Sequence, residues 1–237
     1  MRVLGFIPAR KSSKRIPRKN MRRLAGSPLI IWTLEPVASA TLLDQVIVSS
    51  DDPELIELAM LYAKVRTVWR PEDLAGDHVP DLPVVVDALA KLNDLALKPD
   101  DILVFLRPTA PFRQPEEIDS VVTMLQANPT ADSVRSVHRA KWHPQKAYLW
   151  STAMLVPFTS DHRANHPTQD LDPVCYATGF IDAVRYRAIQ QGSMEGTTVK
   201  PWLSPPERCV DLDTEDDWFE AERLALANNW GPGKVRP

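Results

Sequence analysis

Glycine and cysteine are scarce in this chain: 8 glycines and 2 cysteines stand against 22 prolines in 237 residues. Cys175 and Cys209 match neither a disulfide framework nor the paired ligands of a zinc site. They read as free thiols in a reducing compartment. No window approaches the roughly eighteen apolar residues of a membrane span. The apolar stretch from Val3 to Pro8 is too short for a signal-peptide core. The expectation is a soluble, cytoplasmic protein. Excess positive charge is also absent. The net charge is -3 and the pI about 6.0, which argues against a general nucleic-acid binder.

What is present is a chain with 44% hydrophobic residues, enough for one sizeable core. A single domain over 1–237 is expected, with no internal repeat and a frayed tail from Gly231 to Pro237. Strands are expected at Val3–Ile7, Gln45–Ser50, Val65–Trp69, Ile102–Leu106 and Ser133–Val137, and further ones at Phe180–Ala183 and Thr197–Pro201. Helices are expected from Pro28, from Asp52-Pro53-Glu54, over Leu82–Leu95 and over Pro115–Leu125. Another closes the chain over Thr214–Ala227, capped by Thr214 with three acids in its first turn. Alternating strands and helices imply an α/β fold, a mostly parallel sheet sandwiched by helices. Ligands bind such sheets outside the carboxyl ends of the strands. That places functional loops at 8–23, 49–53, 70–81 and 107–113. The alternation fails between His138 and Cys175, a stretch rich in His, Pro, Trp and Asp.

Three segments bear chemistry. The loop Arg10–Asn20 follows the first strand and holds many cations and no acid, as polyphosphate binding requires; a solvated basic surface is the plainer alternative. Asp211 and Asp213, at i and i+2, point to one side of an extended chain. Such paired hard oxygens suit Mg²⁺, although an Asp before a helix also serves simply to start it. Arg107 and Arg113 flank a proline-stiffened loop after the strongest strand. They could clamp a carboxylate or phosphate, or be solvated.

Together, Ile7-Pro8-Ala9-Arg10, Ser13-Lys14, Ile16–Asn20, Val48–Asp52, Arg70-Pro71, Pro108–Pro111 and Asp211–Glu215 resemble the acylneuraminate cytidylyltransferases, the synthetases of CMP-sialic acid and related CMP-nonulosonic acids. The resemblance spans roughly residues 3–227. It implies a Rossmann-like nucleotidyltransferase fold that moves CMP from CTP to an acidic sugar and releases pyrophosphate. By it, Ala9, Arg10, Ser13, Lys19, Asn20, Arg70 and Asp77 form the nucleotide side. Arg10, Ser13 and Lys19 hold the triphosphate, and Asn20 holds the cytosine or its ribose. Asp211 and Asp213 hold Mg²⁺, with Mn²⁺ as an alternative. Arg10, Lys19 and the two aspartates form the catalytic set. Residues 138–175 match a dimerisation arm, which implies a homodimer, with no nucleic-acid or membrane partner.

Departures fall in two places. Lys11, Ser12 and Arg15 stand where the family often has glycine. Arg107 stands where sialic-acid enzymes commonly have Gln, and Tyr176-Ala177-Thr178-Gly179 replaces their Arg-Pro-Asn-Gly. Arg107, Thr109, Tyr176 and Thr178 are therefore expected to contact the acceptor, with Arg107 on its anionic group. Ser13–Asn20, Thr109–Phe112 and Gln169–Pro173 lean toward the pseudaminic-acid branch. Rival readings are nucleotidyl transfer to a sugar phosphate or phosphonate from CTP or GTP, and a non-catalytic nucleotide- or nucleic-acid-binding module.

Overall fold

A computed structural model describes residues 1–232. In chain order the elements are β1 (Val3–Pro8), β2 (Arg23–Leu24), β3 (Ser27–Pro28), α1 (Ile31–Ser39), β4 (Gln45–Ser50), α2 (Pro53–Ala59), β5 (Val65–Trp69), α3 (Asp81–Lys91), β6 (Ile102–Phe105) and α4 (Pro115–Gln126). They continue as β7 (Ser133–Arg139), β8 (Tyr148–Trp150), β9 (Leu155–Pro157), β10 (Cys175–Arg185), α5 (Tyr186–Gln190), β11 (Val199–Leu203) and α6 (Glu215–Ala227). The frayed tail expected at 231–237 lies from residue 233 onward outside the described residues.

Seven strands form one sheet in the order β11-β7-β10-β6-β1-β4-β5. β10 runs antiparallel to β6 and β7; the other pairings are parallel. The central strands β1, β4 and β6 are almost wholly buried, which explains why they read as continuous apolar runs rather than alternating ones. One core cluster joins Val3, Ile7, Val46 and Val48 to Leu34, Val37, Leu55 and Ile118 of α1, α2 and α4. A second joins Leu4, Phe6, Ile47 and Phe105 to Val84, Val85 and Ala88 of α3. Phe6 and Phe105 stack with centroids 5.5 Å apart. A third cluster lies under α6, where Trp32, Phe112, Leu212 and Trp218 pack around Ile16.

Local chemistry sets the helix starts. The Asp52 side chain accepts from Glu54 N, with Pro53 in the first turn of α2. Thr214 and Asp217 exchange side-chain and backbone bonds to open α6. The helix expected from Pro28 begins instead at Ile31. Pro28 pairs with Arg23 in the small β2–β3 hairpin, whose turn residues Ala25 and Gly26 have φ of 44° and 89°. Positive φ at both positions is what a two-residue hairpin turn demands. The helix expected over 82–95 stops at Lys91 and ends in a separate short turn at Asn93–Leu95.

The stretch where alternation fails is an arm. β8 and β9 form a hairpin whose residues are all exposed. β10 starts earlier than expected, at Cys175, and reaches from the arm into the sheet, with a register break between Ala177 and Asp182. Gly179, at φ 64°, lies in that break.

Candidate active site

β1 ends at Pro8, and the Ala9 N–H donates to Ser49 O at 2.9 Å, which turns the basic loop out at the carboxyl edge of the sheet. The loop is anchored to the fold at Ile16 and Asn20, while Lys11, Lys14, Arg15 and Arg18 stay exposed. Ile16 is buried in the third cluster. Asn20 is nearly buried and donates through Nδ2 to Arg10 O at 2.9 Å. Lys11 N donates to Asp51 at 2.6 Å, and Arg18, in the left-handed region at φ 51°, pairs with Glu54 at 2.8 Å.

The segment before α6 reaches the same edge through Leu212. Its side chain is buried and its N–H donates to Thr109 O at 2.9 Å. The flanking Asp211 and Asp213 both line the resulting cleft of about 310 Å³. So do Arg10, Ser13, Lys19, Asn20, Arg70, Asp77, Arg107 and Thr109. Ala9 is fully buried instead. Tyr176 and Thr178 are not brought into the cleft. The Tyr176 hydroxyl donates to Trp142 O at 3.4 Å at the base of the arm, and Thr178 accepts from Phe180 N at 3.4 Å.

The charges in the cleft are interlocked. Lys19 is not an exposed loop cation: its side chain is 13% accessible. Its Nζ donates to Leu212 O at 2.6 Å and stands 3.6 Å from Asp213 Oδ1. Burial pulls its pKa below the usual lysine value, opposed by Asp213 and Asp211. Asp213 also accepts from Arg15 at 2.9 Å. Asp77 holds Lys14 at 2.9 Å and Arg10 at 2.5 Å. The Lys14 hydrogen bond, with Arg10 adding to it, keeps the Asp77 carboxyl below its ordinary pKa. Arg70 is buried and turned back onto β4, donating to Ser49 O at 2.9 Å. Among the described residues the Asp211 carboxylate has no hydrogen bond or ion pair.

Two arginines expected to clamp an anion part company. Arg113 is fully buried, donating to Phe180 O, Arg107 O and, at 3.3 Å, Thr33 Oγ1. Burial pulls its guanidinium down to about 9, with the Arg107 charge adding to the effect. It is a structural tie between β10 and the loop after β6. Arg107 does line the cleft, stacked 4.5 Å over the Phe105 ring. Its Nη2 donates to Asp81 at 2.7 Å and its Nη1 to Asp182 at 3.1 Å. Burial opposes its charge, yet the two carboxylates hold its pKa above the usual arginine value. Asp81, Leu74 and Val79 line the cleft from the 70–81 loop expected at the ligand edge, and Val84 joins them from α3; none of the four was singled out by the sequence. An acid in a first helical turn reads as a partner of the helix dipole, and only the fold sets Arg107 against it.

This fold with this cleft defines a nucleotidyltransferase of Rossmann-like architecture. The chain belongs to the cytidylyltransferase family, which residues 4–169 match, and within it to the CMP-nonulosonic acid synthetases. It is 32% identical over 240 residues to the CMP-N,N'-diacetyllegionaminic acid synthase of Legionella pneumophila, covering 96% of this chain and 98% of that protein. It is 40% identical over 93 residues to a pseudaminic acid cytidylyltransferase of Campylobacter jejuni, covering 39% of this chain and 40% of that protein. In fold it is similar to a CMP:2-keto-3-deoxy-manno-octonic acid synthetase solved with CTP. The TM-score is 0.69 at 17% identity, over 96% of this chain and 99% of the other.

Proposed function

We propose that the chain transfers CMP from CTP to a nonulosonic acid, releasing pyrophosphate. The observation that carries the reading is the meeting of the cationic loop and the Asp211/Asp213 pair across one cleft, joined by the hydrogen bond from Lys19 Nζ to Leu212 O. A nucleic-acid-binding module has no use for that acidic pair.

In the reaction an acceptor hydroxyl oxygen bonds to the α-phosphorus of CTP as the bond to the bridging β-phosphate oxygen breaks. The hydroxyl proton passes to solvent, and pyrophosphate leaves. Such transfers depend on positioning and charge neutralisation. Arg10, Ser13 and Lys19 are the groups for the triphosphate. Lys19 is held rigidly by Leu212 O, so its charge is already in place when negative charge moves to the leaving group. Asn20 and Arg70 shape the nucleoside end, while Arg107 and Thr109 face the acceptor. Asp77 orders Arg10 and Lys14 and is displaced by, or shares them with, the phosphates.

The residues present fit a divalent cation of the Mg²⁺ type. Asp211 has an unengaged carboxylate beside Asp213, and no cluster of three or more acidic, His or Cys ligands exists among the described residues. Mg²⁺ suits such a half-built site, because it takes its remaining oxygens from water and substrate phosphates. The ion supplies Lewis-acid polarisation of the phosphate when bound.

The arm supports a homodimer. Trp150 is 86% accessible, and Trp142, Leu149, Met154, Leu155 and Phe158 of the same segment are exposed as well. Apolar surface of this extent marks a partner surface. No helix among the described residues is long and apolar enough to cross a membrane; a cytoplasmic enzyme working on soluble substrates fits the proposed reaction. The test is pyrophosphate release from CTP with a panel of nonulosonic acids, sugar phosphates and phosphonates.

A further inference from the structure

Arg107 carries two carboxylates, and they are held very differently. Asp182 has a side chain only 9% accessible. Its other oxygen accepts from Ser136 N at 3.1 Å and faces Arg135 Nε at 3.4 Å. It is fixed in the sheet. Asp81 is 40% accessible and lines the cleft. Among the described residues, the only hydrogen bond or ion pair on its carboxylate is the one to Arg107, at 2.7 Å. The guanidinium is walled in elsewhere. Phe105 lies under it. A Cβ on Gly179 would stand 3.2 Å from Nη1, so the chain passes tightly on that side. The side of the fork held by Asp81 is the side that opens onto the cleft.

We propose that Asp81 is a specificity-determining residue: a built-in stand-in for the acceptor's carboxylate, which must displace it from Arg107. The inference rests on the reading of the cleft as a site for CTP and a nonulosonic acid. The Asp81 end of this ion pair is accessible to solvent, which screens and weakens it, although Arg107 is the more enclosed partner. Asp81 also sits in the first turn of the 11-residue helix α3, where a negative charge is favoured without any partner. It can therefore swing off Arg107 without being stranded. Asp182 stays, keeping the fork flat and aimed. A flat carboxylate fits the open Nη2 side that Asp81 vacates and gains a charge-assisted hydrogen bond there. Acceptors whose anionic group is bulkier must displace the same competitor without that fit. Arg107 thus selects on shape as well as charge, and Asp81 sets the threshold.

The experiment is steady-state kinetics of wild type, Asp81→Asn, Asp81→Ser and the double variant Asp81→Asn/Arg107→Gln. KM for CTP and for the acid are measured separately, with the best-used of N,N'-diacetyllegionaminic, pseudaminic and N-acetylneuraminic acids as probe. Removing a competing surface carboxylate should lower the acceptor KM by about three- to fivefold, the scale of an accessible ion pair. The CTP KM should stay unchanged in both single variants, and the gain should vanish in the double variant. An acceptor KM that stays the same or rises in both folded single variants overturns the inference. So does a change confined to the CTP KM, which would assign Asp81 to the nucleotide. Absence of turnover by the wild-type chain with CTP and every acid overturns the functional reading along with it, whereas normal wild-type turnover with unaltered variants overturns this inference alone.

Discussion

Arg15 donates to Asp213 at 2.9 Å, while Lys19 stands 3.6 Å from the other oxygen of the same carboxylate. One of the two proposed metal ligands is thus already shared by two cations, and Asp211 is not. Metal uptake by the free protein must compete with Arg15. Arg15→Ala should therefore bind Mn²⁺ severalfold more tightly than wild type in the absence of nucleotide, read by calorimetry or by the Mn²⁺ resonance signal. Unchanged or weaker binding would show that the pair does not oppose the ion.

Asp211→Ala and Asp213→Ala should each lose most turnover, because each removes a hard oxygen ligand. Addition of EDTA should abolish wild-type activity, and Mg²⁺ or Mn²⁺ should restore it. Full activity of both variants in EDTA would remove the metal from the account.

Lys19→Ala should reduce turnover by roughly 10²–10³, the scale of a lost preorganised donor to developing charge. It should also cost about 1 kcal/mol of stability, since Leu212 O loses its partner in a mostly buried setting. Arg10→Ala, at a more accessible side chain, should raise the CTP KM with little change in melting temperature. Normal CTP kinetics in both variants would make the loop a structural feature only.

Much of the sheet and one side of the cleft were legible in the sequence. β1, β4 and β6 are apolar runs closed by proline or polar residues, and the caps of α2 and α6 are local signals. The basic loop and the aspartate pair were recognisable because each chemistry needs those residue types close together. Features set by an unusual local backbone conformation or by contacts distant in sequence were not legible. The 23–28 hairpin depends on the positive φ of Ala25 and Gly26, and the residue types there also suit a helix start. Arg113 reads like Arg107, yet it is buried because Phe180 O, Thr33 and Arg107 O converge on it. Tyr176 reads as a cleft residue, but the antiparallel run of β10 with β7 takes it to the arm, beside His138.

The acid side of the stability profile should depend on Asp132. It accepts from Thr197 N at 3.0 Å, Thr198 N at 3.2 Å and Arg187 Nε at 3.0 Å. The Thr197 N–H, then Arg187 and Thr198, hold its pKa at about 2, against 3.8 for the free group. A depressed carboxyl contributes stability above the unfolded pKa, and that contribution is lost as pH falls from about 4 toward 2. Asp132→Asn should lower stability at pH 7 and flatten the decline between pH 4 and 2, measured by denaturant unfolding at several pH values. An equally steep decline in the variant would place the acid sensitivity elsewhere.

The arm should hold two copies together. Wild-type protein should run at twice the 26.6 kDa chain mass in light scattering at micromolar concentration. Trp150→Glu combined with Leu155→Glu should yield monomer with unaltered secondary structure, because both side chains are exposed in the single chain. An active wild-type monomer would contradict this assignment.

The central claim is cytidylyl transfer to an acidic nine-carbon-type sugar, and pyrophosphate release tests it most directly. Purified protein with Mg²⁺ is given CTP, GTP, UTP or ATP against N,N'-diacetyllegionaminic, pseudaminic and N-acetylneuraminic acids, with sugar phosphates and phosphonates as controls. The predicted result is pyrophosphate release only when CTP and a nonulosonic acid are both present, with the CMP-sugar formed in equal amount. Release that follows GTP, or that requires a sugar phosphate or phosphonate, or salt-sensitive nucleic-acid binding without any turnover, would contradict it.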